Sequence, residues 1–300
     1  MSQPESEKGS DAIARDNVRG ILWAFVATGL FALVAAMAKI AVAEYHVLQI
    51  LFFRQIVVFL SSLPSIASHF PESLRTRHIG LHGVRLIGAF VALSCGIWSV
   101  AVLPLTTAIT LAFAQVFFVV LLAGRFLGET VGPFRLATVL AGFVGVVVVL
   151  QPGTDGFVSF HALIPLAGAF GAALAVIAVR ELSQTESTAT LLVYQSVFVG
   201  VLAGVPMLWL WETPDLAGFS LLASMGVLSA FGQWAGIRAL RYAEASVIGG
   251  IQYTQVVYAA FLGYAIFGEV PARTTLIGAA TIIAAALFIL HRERLAKSAT

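Results

Sequence analysis

Two glutamines, Gln115 and Gln255, stand 140 residues apart in the middle of otherwise apolar runs. A primary amide offers one carbonyl acceptor and two N–H donors, which is chemistry for binding rather than for proton transfer or nucleophilic attack. Each is followed by Val, and the two runs end in Gly128–Glu129 and Gly268–Glu269, again 140 apart. Gln252, Tyr253 and Tyr258 lie close to Gln255 in the chain, and Trp98, Gln233 and Trp234 stand in comparable apolar surroundings. Rings at these positions would stack on a planar substrate, or pack against helices and headgroups. The paired glutamines would give one amide from each half to a substrate at the midplane, or act as interhelical glue worth about 0.6 kcal/mol per bond in a bilayer. Arg54 is the one charge well inside an apolar run. It either attracts a substrate carboxylate or phosphate, or snorkels outward to pair with Glu44 or a carbonyl.

Other chemistries lack their residues. All fifteen carboxylates fall in loops, tails or helix ends. A proton relay needs a buried titrating group, so the sequence predicts transport that is not proton-coupled, of a neutral, zwitterionic or anionic substrate. No His-Glu-x-x-His or Gly-x-Ser-x-Gly motif occurs, so the alternative class, a membrane-embedded enzyme, has no motif behind it. His82 and His161 lie near helix ends and form no ligand set, and a lone Cys95 allows no internal disulfide or cysteine-based metal site. No catalytic residue, metal or cofactor is expected. With a net charge of +2 and no basic stripe, nucleic acid is not an expected partner.

The elements that must position these side chains follow from composition. Hydrophobic residues make up 59% of the chain and charged residues 11%, where a soluble domain carries about 25% charged. Mean hydropathy is +0.95. The chain is therefore read as an all-α integral membrane protein. Ten apolar segments can be drawn, at 20–42, 47–67, 83–103, 106–129, 134–150, 161–179, 189–211, 218–240, 245–267 and 275–290. With the N-terminus in the cytoplasm and alternating helices, fourteen Lys and Arg fall on the cytoplasmic side and only Lys39 and Arg273 outside. The positive-inside rule selects that orientation, with both termini cytoplasmic. Five helices per half is odd, so equivalent helices point in opposite directions, as in the inverted repeats of secondary transporters. The expected organisation is a disordered tail at 1–18, a first repeat at 19–151, a linker at 152–160, a second repeat at 161–291 and a tail at 292–300.

These features resemble the drug/metabolite transporter superfamily, in its EamA-type branch. The residues that carry the resemblance are Leu127-Gly128-Glu129 and Phe267-Gly268-Glu269, the Gly142 and Gly278 of the helices that follow, and the Ile50-Leu-Phe-Phe-Arg54 run. It implies two inverted five-helix repeats working by alternating access in a cell inner membrane, with a small-molecule substrate and the lipid bilayer as partners; a homodimer is compatible with it. Amino acids or related metabolites, exported, are the first substrate expectation. Uptake of a vitamin or nucleoside-like compound is the second. The expected binding set is Gln115, Gln255, Trp98, Tyr253, Tyr258, Gln252 and Arg54. The family usually has Pro before Val in the fourth and ninth helices, where this chain has Gln115 and Gln255, so straighter helices are expected. Glu129 and Glu269 are expected to pair with Arg135 or Arg273.

Overall fold

The computed structural model describes residues 4–68, 76, 78–126, 133–150, 160–182, 186, 188–242 and 251–298, and all regular structure among them is helical. In hydrocarbon every backbone N–H and C=O must find its partner within the segment, and these apolar runs meet that demand as helices. They are α1 (Pro4–Ala41), α2 (Val47–Ser68), α3 (Ile79–Val102), α4 (Leu105–Ala112), α5 (Gln115–Phe126), α6 (Pro133–Leu150), α7 (Leu163–Leu182), α8 (Thr188–Gly204), the single turn α9 (Met207–Leu210), α10 (Leu216–Tyr242), α11 (Thr254–Phe267) and α12 (Arg273–Ser298). Six stretches among the described residues are long and apolar enough to cross a membrane: Val18–Ala41, Val47–Pro64, Ile79–Val102, Leu105–Ala123, Phe160–Val179 and Leu216–Gly236. Four shorter apolar helices accompany them, at Val139–Val149, Thr190–Gly204, Thr254–Phe267 and Arg273–Ala285.

The helices pack in a regular scheme. α3 runs along α7 and α1 along α10; α6 pairs with α12, α2 with α8, and α4 with α11. Exchanging α1 with α7, α2 with α8, α3 with α10, α4 with α11 and α6 with α12 turns the first contact into the second and returns the other three unchanged. Small residues set the closest approaches, because without a solvent driving force membrane helices associate through tight backbone packing. A Cβ added at Gly88 on α3 would lie 2.6 Å from the Gly171 carbonyl on α7, and one at Gly171 would lie 2.7 Å from Gly88 O. Gly278 on α12 meets Gly145 O at 2.6 Å in the same sense, so the partner of Gly278 is Gly145. The space beside Gly142 is taken by the Phe117 ring instead. The main apolar core joins α1, α2, α3 and α4 to α8, α10, α11 and α12 through residues such as Leu51, Leu105, Val199, Met225 and Ala259.

A substrate-sized cavity at paired helix breaks

The run expected to form one straight fourth helix is broken. α4 ends at Ala112 and α5 begins at Gln115. Phe113 and Ala114 close tight turns through Phe113 N–H to Thr110 O (3.2 Å) and Ala114 N–H to Leu111 O (3.0 Å). The second half repeats this. Residues 251–252 are helical, Tyr253 is a turn, and α11 starts at Thr254. Phe113 has φ −66° and ψ −12°, and Tyr253 has φ −66° and ψ −18°. Both sit at the flat-ψ edge of the helical region, which tightens the turn toward 3₁₀ geometry. Both breaks occur without proline, which corrects the expectation of straighter helices. Phe113 and Tyr253 are 140 residues apart, and their rings touch, with centroids at 4.8 Å.

Each break leaves its glutamine facing the same space. A cavity of about 470 Å³ is lined by Ala24, Ala27, Thr28 and Phe31 of α1, Ile109 and Ala112 of α4, Phe113, Gln115 of α5, Gln233 and Gly236 of α10, Gln252, and Gln255 of α11. That volume suits a single small molecule. Among the described residues, none of the lining side chains is ionisable. Four primary amides, Gln115, Gln233, Gln252 and Gln255, border it, and among the described residues none of the four has a hydrogen-bond partner in the protein. The hydroxyl of Thr28, which lines the cavity, lies 3.3 Å from that of Thr254, which donates to Ile251 O at 2.7 Å. Small residues at 24, 27, 112 and 236 leave the room; a Cβ added at Gly236 would meet nothing within 4 Å.

The other expected site residues are distributed differently. Tyr253 is 6% exposed and backs the cavity from behind Phe113. Tyr258 is half-buried beside Gly29 on α1 and is not a wall. Trp98 is 51% exposed on the outer surface of α3, away from the cavity, and Phe31 and Phe113 supply the aromatic walls assigned to it. Arg54 is partly buried on α2, in register between the buried Leu51 and Val58, and does not line the cavity. Its helix lies on the far side of α10 from α1, so Arg54 is not the charge anchor of this space.

The cavity lies toward the end of the bundle where α1 enters. At the opposite end lies a polar cluster whose pairing differs from the one expected. Gly268 adopts φ +66°, the left-handed conformation that only glycine takes without strain, and its turn aims Glu269 back at the bundle. Glu269 forms an ion pair with Lys39 of α1, not with Arg273; Glu129 and the Arg135 side chain lie outside the described residues. The Leu105 N–H donates to Glu269 Oε2 at 2.8 Å. Lys39 Nζ donates to Leu103 O at 2.8 Å and stands over the Phe267 ring.

A second polar cluster was missed altogether. Arg85, counted only among the fourteen basic residues of the cytoplasmic side, is 3% exposed on α3, donating to Leu191 O at 2.9 Å and Gln195 Oε1 at 3.0 Å on α8. His82, one turn before it, contacts Glu186 at 2.6 Å, and Thr76 donates to the same carboxylate. The signal was the His82 to Arg85 spacing of three, which puts both on one helix face. Among the described residues no group of side chains could hold a metal ion.

Comparison with known proteins agrees with this architecture. A family model described as the EamA-like transporter family matches residues 18–151 and 160–291. The chain is 29% identical to a riboflavin transporter of Vibrio cholerae over 94% of this chain and 96% of that one. It is 26% identical to an S-adenosylmethionine uptake transporter of Rickettsia prowazekii, over 92% and 94%. It is 28% identical to the pseudopaline exporter CntI of Pseudomonas aeruginosa, over 92% and 97%. A solved crystal structure superposes with a TM-score of 0.62 at 17% identity, over 94% of this chain and 99% of that one, a likeness of fold alone. The relatives are membrane transporters of small molecules rather than enzymes, and this chain belongs to the EamA-like transporter family.

Proposed function

We propose that this transporter carries a planar, uncharged, polar heterocycle of the vitamin or nucleoside-like class, with riboflavin as the leading candidate, inward across a bacterial inner membrane by alternating access. The observation that carries the reading is the set of four amides, without a partner among the described residues, around a cavity with two phenyl walls and no ionisable lining side chain among those residues. A free amino acid would bring an ammonium and a carboxylate into this space, and neither would meet an opposite charge there. A flavin or nucleobase edge presents alternating donors and acceptors that amides can match, and its faces can lie against Phe31 and Phe113. The riboflavin named for one relative has a planar, uncharged heteroaromatic ring of this kind, whereas the S-adenosylmethionine named for another adds amino-acid charges to its ring. The cavity thus favours the second substrate expectation over amino-acid export.

The reading includes ten membrane helices in two inverted five-helix repeats, residues 19–151 and 161–291, with both termini in the cytoplasm. It is supported by the exchange symmetry of the helix packing and by the paired breaks at Phe113 and Tyr253. The test is a ligand screen on the purified protein by thermal shift. Riboflavin at 100 times its dissociation constant should add about 2.7 kcal/mol of stability, while zwitterionic amino acids add nothing. Stabilisation by an amino acid and by no flavin or nucleoside would reverse the assignment.

A further inference from the structure

We propose that Lys39 and Glu269 form a latch that holds the end of the bundle opposite the N-terminus shut in this conformation, and that the pair breaks whenever the cavity opens to that side. The inference rests on the transporter reading above. The two side chains are 17% and 19% exposed, so their charges are largely withdrawn from solvent. Each also holds a backbone atom of the α3–α4 junction, Lys39 through Leu103 O and Glu269 through Leu105 N. One charge pair therefore ties together the end of α1, the start of α4 and the end of α11. These three helices also supply cavity walls, at Ala24 to Phe31, at Ile109 and Ala112, and at Gln255. The latch and the cavity are thus opposite ends of the same three elements.

A bundle tied at one end is in one of its states, and groups that bond in only one state set the balance between them. Lys39 and Glu269 bond in the state closed at the far end.

The experiment reads accessibility, so it does not depend on riboflavin being the substrate. In a Cys95→Ser background with Ala27→Cys in the cavity wall, a membrane-impermeant maleimide is applied to each side of the membrane in turn. The latched protein should label from the N-terminal side. Glu269→Gln should raise labelling from the opposite side several-fold, and Lys39→Met should do the same. The double variant should give about as much as either single one, because the ion pair is already lost in each of them. Glu186→Gln breaks a buried pair at the other end and should leave far-side labelling at the level of the parent, which separates unlatching from general loosening. Unchanged far-side labelling in monodisperse Glu269→Gln and Lys39→Met overturns the proposal, as does an equal rise in Glu186→Gln. Loss of monodispersity in both latch variants would make the pair a folding contact and overturn it as well. Failure of riboflavin to bind, with the labelling pattern intact, would strike the substrate and leave the latch standing.

Discussion

An amide in a membrane helix usually finds a partner on the next helix, because an unsatisfied group in hydrocarbon is costly. Gln49 does so, donating to Glu212 O at 2.6 Å and accepting from its N–H at 3.0 Å. Among the described residues the four cavity glutamines do not, which marks them as groups kept for a ligand or for water. Replacing Gln115 or Gln255 by Leu is expected to weaken riboflavin binding by about 1–3 kcal/mol, the cost of leaving a buried polar partner unpaired, measured by titration beside monodispersity in detergent. Trp98→Ala and Arg54→Gln should leave that affinity unchanged, because neither residue lines the cavity. Binding by both leucine variants at the level of the parent would return the glutamines to the role of glue. The glutamines were legible in the sequence because a polar type in an apolar run has to be accounted for. Trp98 was not, since an aromatic ring is at home on a lipid-facing surface or in a binding wall, and its facing depends on neighbours that residue type does not reveal.

At the scale of elements, the existence and rough bounds of the helices were readable from hydropathy, and the two breaks were not. Proline is the usual mark of a kink, and neither break has one. Both instead use an aromatic residue with nearly flat ψ, set where the opposing helix presents its own equivalent. Tertiary packing made that choice, and it leaves no trace in composition. The glycines carry a sharper expectation. Gly88→Ala would drive a Cβ to 2.6 Å from the Gly171 carbonyl, a backbone atom that cannot swing aside. It should destabilise the protein by about 1–3 kcal/mol in thermal unfolding. Gly96→Ala, on the same helix with nothing within 4 Å, should be neutral or slightly stabilising. Equal melting temperatures for the two variants would mean that the α3–α7 seam is looser than described.

For the whole molecule, orientation rests on the distribution of Lys and Arg. A reporter active only in the periplasm, fused after Thr300, should be silent; strong activity would invert the topology. The absence of ionisable groups from the cavity wall among the described residues extends the sequence argument about proton coupling. Riboflavin flux into proteoliposomes should therefore persist when the proton gradient is collapsed. Strict dependence on the gradient would point to a carrier elsewhere, with the buried Glu186–His82 pair the first place to look. That pair was hidden from the sequence because Glu186 sits in a loop by chain position and is buried only through the packing of α3 on α8.

The contact between Phe113 and Tyr253 has a meaning for the history of the chain. If the two halves descend from one duplicated unit, residues 113 and 253 were once the same residue. Two copies of that ancestral unit, inserted in opposite directions, would have met there like with like, one aromatic ring against itself. The present ring pair at 4.8 Å would then be the relic of a self-recognising interface. The phenol oxygen of Tyr253 would be one of the changes by which gene fusion let two identical faces become different.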